Sequence, residues 1–221
     1  MDNLPIRSMR SIEDLLIQHL PRSFVIAARD AIKVADQVAN RECLSFHTGI
    51  RSSQTGYAKH GRMNEGWHDA ALAEGGSPTP LKSNGIVVAQ FGIFKVARYN
   101  VRHHEWSHKK KLGKKHTEIA KLNTDILAQY VMPDFFKEKS EVSIATAFFV
   151  AVIDGVDQAG QPQVTEVQLC VPHPDLQGQL YTKSLTEFIA LYDRPARQID
   201  LAHVTLKEQI KKQNENDQGH Q

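Results

Sequence analysis

The chain is poor in cysteine, in long apolar runs and in catalytic motifs. Its two cysteines, Cys43 and Cys170, are too few for a disulfide framework or a four-thiolate zinc site. The longest apolar run, Ala147–Ile153, has seven residues, whereas a membrane-spanning helix needs about 20. No nucleophile elbow, Walker loop, dinucleotide-binding fingerprint or internal repeat is present. Because residues 1–16 also lack a signal-peptide pattern, we expect a cytoplasmic protein with no membrane partner.

The overall composition excludes a polycation. The 221 residues are 41% hydrophobic and 24% charged, with a net charge of +2, which is typical of an ordinary globular protein. Any electrostatic function must therefore depend on local clustering of charge. The length suits one domain, which we assign to residues 1–210, and the polar tail at 211–221 is expected to be disordered.

Hydrophobic periodicity predicts an α+β fold, with an N-terminal helical pair followed by an antiparallel sheet that has helices packed on one face. The predicted helices are 11–20, 23–43, 117–131 and 184–192, and the β-rich segments are 85–101 and 143–171. Residues 199–206 suit either a last strand or the start of a helix. Residues 44–84 hold six of the 13 glycines and few large aliphatics, so we expect a long glycine-rich loop or insertion.

The strongest local signal is a β-hairpin within residues 143–171. Asp157 and Gly160 occupy the first and fourth positions of a type I turn that ends in a left-handed glycine. This turn pairs Asp157 with Gln161, and therefore Val152 with Glu166 and Val150 with Gln168. The odd-numbered residues from 147 to 153 and from 165 to 171 are apolar except for Thr165, so they should form the core face.

Residues 98–116 form a basic tract. The tract contains seven Lys and Arg residues, four His and a single acid, Glu105. A cationic segment of this kind must stay in water or meet an anion, because burial of an unpaired charge is costly. The residues predicted to bind a polyanion are its cations and one aromatic side chain that could stack on a base: Arg98, Arg102, Trp106, Lys109, Lys110, Lys111, Lys114 and Lys115.

The same tract contains a zinc-type pattern. His104-Glu105-Trp106-Ser107-His108 fits H-E-x-x-H, which on a helix places His104 and His108 on one face, able to share a Zn²⁺ ion. The three lysines that follow argue against this site, because they would repel a dication. A solvated basic surface with incidental histidines is the interpretation we prefer, so we expect no zinc.

The even-numbered face of the hairpin gives a second enzyme hypothesis. Asp154, Glu166 and Gln168 would share that face, with Asp154 diagonal to Glu166. The arrangement resembles the metal-binding motif of restriction-type nucleases, over some fifteen residues, with Gln168 in the place of the usual lysine. The resemblance implies a catalytic role for the three residues and Mg²⁺ as cofactor. Any half-exposed hairpin also presents polar residues on its outer face.

We therefore expect a soluble intracellular protein that binds a polyanion, most simply nucleic acid, through residues 98–116. One alternative is a Mg²⁺-dependent nuclease that uses Asp154, Glu166 and Gln168. The other is a non-catalytic subunit that buries helices 11–43 against a partner protein. The sequence does not distinguish DNA from RNA, or define an oligomeric state.

Overall fold

The computed structural model describes residues 11–83, 85–102, 112–131 and 142–194. It begins with three helices: α1 (Ile12–His19), α2 (Arg22–Glu42) and α3 (Thr48–Ala73). Ser11 caps α1, because its hydroxyl accepts a hydrogen bond from Asp14 N at 3.1 Å. The predicted helical pair is thus confirmed. The predictions for 199–206 and for the tail at 211–221 lie outside the described residues.

Helix α3 overturns the prediction of a long loop at 44–84. It spans 26 residues, and its buried side chains recur every fourth residue at 55, 59, 63, 67 and 71. Packing of this stripe on α2 and the sheet outweighs the low helix propensity of the glycines. At Gly66 a Cβ atom would lie 3.3 Å from Ala31 Cβ, so this glycine permits close packing of α3 on α2.

The strands form one six-stranded sheet in sequence order. They are β1 (Ser77–Pro78), β2 (Val88–Phe91), β3 (Phe94–Arg102), β4 (Ala145–Val156), β5 (Pro162–Pro172) and β6 (Gln179–Ser184). The predicted strand region 85–101 divides at Gly92, whose φ of 52° lies in the left-handed region.

The sheet is mixed, so the fold is α+β as predicted but not antiparallel throughout. Strand β3 runs parallel to β4, and every other neighbouring pair is antiparallel. Parallel neighbours need a crossover connection. Here the crossover contains α4 (Lys114–Ala120), α5 (Thr124–Ile126) and a π-helical turn (Leu127–Val131), so helical structure begins three residues before the predicted helix 117–131. Helix α6 (Leu185–Ala190) lies within predicted helix 184–192.

The predicted hairpin is confirmed in its turn and register. Asp157 N donates to Gln161 O at 2.8 Å, Gly160 has a φ of 73°, and Val152 pairs with Glu166. Irregularities in the pairing follow Val152 and Ile153. The odd-numbered face packs in the main core, as predicted.

Helices cover both faces of the sheet, which corrects the prediction of one covered face. The main core lies between the sheet and helices α1, α2, α3 and α6, where Phe24 stacks on Phe91 at 4.0 Å and meets Trp67 edge-on at 5.4 Å. A smaller core on the other face joins Ile119 of α4 to Phe148 and other even-numbered residues of β4. The apolar faces of α1 and α2 are therefore covered by this chain's own sheet. Among the described helices, none is long and apolar enough to cross a membrane.

Candidate functional site

The structure describes only the two ends of the basic tract, 98–102 and 112–116. Residues 103–111 lie outside the described residues, and with them the zinc hypothesis at His104 and His108 and the predicted polyanion contacts of Trp106 and Lys109–Lys111. The described parts of the tract are therefore the end of β3, where the chain enters it, and the start of α4, where the chain leaves it.

Three of the predicted cations are exposed. Arg102 is the last residue of β3, and Lys114 and Lys115 are the first two residues of α4. The two ends of the tract are connected, because His116 Nε2 lies 3.4 Å from the backbone oxygen of Arg98. Arg102 lies on the even-numbered, α3-facing side of β3, whereas α4 packs on the opposite face of the sheet. The tract thus begins and ends beside the same strand.

Arg98 does not belong to that exposed group, and the prediction that it lies on the binding surface needs correction. Only 3% of its surface is accessible. Its Nη2 donates to His60 O at 2.8 Å and to Asn64 Oδ1 at 2.7 Å, and its Nη1 donates to Asn100 Oδ1 at 3.1 Å. The even-numbered side chains of β3 point toward α3, so residue 98 lies beneath that helix.

The acceptors around Arg98 are all neutral. Burial lowers the pKa of Arg98 to about 10, which leaves the guanidinium protonated at neutral pH. Among the described residues no carboxylate pairs with it, and its Nε has no hydrogen-bond partner. A buried cation without a counter-ion is unusual, because charged side chains are seldom fully buried unless they are paired.

Two histidines flank Arg98. His60 on α3 contacts Asn64, with Asn64 Nδ2 3.2 Å from His60 Nε2, and Asn64 Nδ2 also donates to Gly85 O at 2.9 Å. On the other face, the His116 ring packs edge-on against Tyr99 and Phe148. Burial, and then the charge of Arg98, lower the pKa of His60, and burial is also the main reason that the pKa of His116 is lowered. Both imidazoles are therefore neutral at pH 7.

Of the even-numbered hairpin residues, the structure brings two together. Gln168 Nε2 donates to Glu166 Oε2 at 2.8 Å, whereas Asp154 is exposed beyond the first irregularity in the pairing. Within the described ranges no group of three or more His, Cys, Asp or Glu residues could hold a metal ion. Nothing in those ranges therefore supports the Mg²⁺-dependent nuclease.

A buried polar network between α2, α3 and the hairpin was not predicted. Lys59 Nζ lies 2.7 Å from Asp36 Oδ1, with side-chain exposures of 5% and 3%. Asp36 Oδ2 accepts from Val164 N at 2.9 Å, and Asn40 Nδ2 donates to Asp157 Oδ2 at 2.9 Å. Asp36 and Asn40 lie one turn apart on α2, next to its apolar residues. This spacing is the sequence signal that could have predicted the buried network.

Comparison with known protein families, with curated proteins and with solved structures found no match. The function is therefore inferred from the residues themselves.

Proposed function

We propose that this protein binds a polyanion, most simply nucleic acid, through the basic tract at 98–116. The observation that carries the proposal is the charge of the tract, with seven cations against one acid in a chain whose net charge is only +2. The exposure of Arg102, Lys114 and Lys115 at its two described ends supports it. Direct contacts are assigned to these three side chains and to Lys109, Lys110 and Lys111.

No carboxylate of the described residues neutralises the three exposed cations, Arg102, Lys114 and Lys115. Their charge therefore remains available to a ligand, and each phosphate that they neutralise would release condensed counterions. In contrast, Arg62 and Arg22, on the helices, are held by carboxylates of this chain at 2.6 and 2.8 Å.

The proposal predicts salt-dependent binding. For a single-stranded oligonucleotide, the slope of log K against log salt changes by about 0.7 for each phosphate contact. Lys114→Gln together with Lys115→Gln should therefore flatten the slope by about 1.4, and Arg102→Gln by about 0.7. Lys109, Lys110 and Lys111 replaced together by Ala should flatten it by about 2.

The test is fluorescence anisotropy with labelled 20-nucleotide DNA and RNA at four salt concentrations. The matched control is Lys33→Gln with Arg41→Gln, which removes two cations from α2, on the opposite face of the sheet from α4. This control should leave the slope unchanged. Binding that ignores salt, or a control that weakens binding as much as the Lys114 and Lys115 substitutions do, would reject the proposal.

A further inference from the structure

Arg98 is a buried guanidinium whose described partners are all uncharged. Residues His60, Asn64 and Asn100 supply three oxygen acceptors to its Nη atoms at 2.7 to 3.1 Å. Together with a contact from Nη1 to Met63 Sδ at 3.7 Å, these bonds engage the terminal donors but do not neutralise the charge, and Nε remains without a partner among the described residues. In a medium of low dielectric constant the positive potential of such a group extends to its surroundings. An anion placed nearby would be stabilised by it.

The strand carries two further groups that could donate to such an anion. Arg98, Asn100 and Arg102 alternate along β3, so their side chains leave the same face at steps of about 6.6 Å. Asn100 Oδ1 already accepts from Arg98 at 3.1 Å. Its Nδ2, the other end of the same amide, therefore points away from Arg98. Asn100 is half-buried and Arg102 is exposed, so the face becomes more accessible along the strand.

Two features of the described chain bear on the surroundings of this face. Pairing of β2 with β3 ends at Val88 and Ala97, so on that side no described strand pairs with residues 98–102. On α3, Gly56 lies one turn before His60 on the same helical face, and a Cβ at Gly56 would meet no atom within 4 Å. A glycine inside a helix costs about 1 kcal/mol relative to alanine, and no contact within the described chain accounts for this one.

We propose that residues 98–102 of β3 form a site for one phosphate group. Asn100 Nδ2 and the Arg102 guanidinium donate to the phosphate oxygens, and Arg98, which pairs with no carboxylate of the described residues, supplies positive charge behind them. The choice of phosphate rests on the proposed function, because the group would be one phosphate of the bound polyanion. The site is nevertheless separate from Lys114 and Lys115, which lie on the other face of the sheet.

Inorganic phosphate is the probe that tests the site directly. Thermal unfolding of the full chain is followed at pH 7.5 with increasing sodium phosphate, at an ionic strength kept constant with sodium chloride. A ligand that binds only the folded protein, at ten times its Kd, lowers the unfolding equilibrium constant about elevenfold. We expect the midpoint to rise with phosphate in the wild type and in the control variant Arg41→Gln.

Asn100→Asp is the decisive substitution. It places a carboxylate where Asn100 Oδ1 now lies, 3.1 Å from Arg98 Nη1, and so supplies the missing counter-ion from within. Without phosphate, this variant should have a higher melting midpoint than the wild type, and phosphate should no longer raise it. Asn100→Leu, which removes the amide without adding a charge, should also lose the phosphate response.

The outcomes separate the two proposals. A wild-type midpoint that responds to phosphate no more than to chloride overturns the site, as does a response that persists in both Asn100 variants. If oligonucleotides bind while phosphate has no effect, the site is wrong and the proposed function stands. If phosphate raises the midpoint but oligonucleotides do not bind in a salt-dependent way, the site stands and the proposed function is wrong.

Discussion

The buried pair of Asp36 on α2 and Lys59 on α3 offers a sharp test of what fixes the hairpin to the helices. Lys59 Nζ lies 2.7 Å from Asp36 Oδ1, and both side chains are at most 5% exposed. Lys59 also donates to Pro162 O, and Asp36 Oδ2 accepts from Val164 N at 2.9 Å. Two helices and the start of β5 thus meet at one ion pair.

Removing one partner should be costly. Lys59→Met leaves the Asp36 carboxylate buried, with the Val164 amide still bound to it, and breaking a buried pair costs about 3–5 kcal/mol. The matched control is Arg62→Met. Arg62 pairs with Glu42 at 2.6 Å, but the two side chains are 47% and 43% exposed. Solvent screens such a pair, so we expect a much smaller loss than for Lys59→Met.

A double substitution separates charge from packing. Asp36→Asn keeps an acceptor for Val164 N and removes the charge, so Asp36→Asn with Lys59→Met leaves no buried ion. This variant should be at least about 2 kcal/mol more stable than the sum of the single losses implies, because each single variant strands one charge. Urea unfolding followed by circular dichroism gives the free energies. Additive losses, or a Lys59→Met cost equal to that of Arg62→Met, would refute the reasoning.

The remaining predictions concern the pH dependence of stability and two glycine substitutions. Because burial lowers the pKa of His116 in the folded state, its contribution to stability is complete above the unfolded pKa of about 6.5 and is lost as pH falls below it, at up to about 1.4 kcal/mol per pH unit. His116→Phe should reduce that slope in urea titrations between pH 7.5 and 5. Gly61→Ala should raise the free energy of unfolding by about 0.5–1 kcal/mol, since open space surrounds its added Cβ. Gly92→Ala should lower the melting midpoint, because φ is 52° and the Cβ would lie 2.3 Å from His19 Nδ1; an unchanged midpoint would contradict this.

The elements that sequence predicts correctly are those whose determinants are local. The hairpin register follows from the turn at Asp157 and Gly160, within four residues, and the Ser11 cap fixes the start of α1 in the same way. Helix α3 could not be found by propensity, because its glycines and serines suggest a loop. What holds α3 is a stripe of buried side chains that includes Trp67, and those side chains contact residues far away in sequence.

At the candidate site, the sequence predicts the residue types correctly but not which of them are exposed. Arg98 and Arg102 are the same residue type on the same face of one strand, yet one is buried beneath α3 and the other is exposed. Charge content alone assigns both to the surface. Arg98 is buried because it donates to His60 and Asn64 of α3, a helix that the sequence did not predict. Sequence could therefore predict the basic tract, but not that its first cation supports the site from inside.

The charge of Arg98, which no carboxylate of the described residues pairs with, links stability to the proposed binding. The single substitution Asn100→Asp would supply a counter-ion to Arg98. Pairing this buried guanidinium should make the protein more stable. Proteins commonly retain such unfavourable features where function requires them. If Asn100→Asp raises the melting midpoint and also removes the phosphate response, then stability and anion binding compete for the same charge, as the proposed site requires. If the substitution stabilises the protein and leaves phosphate and oligonucleotide binding intact, Arg98 is only a tolerated defect of packing, and binding belongs to the exposed cations alone.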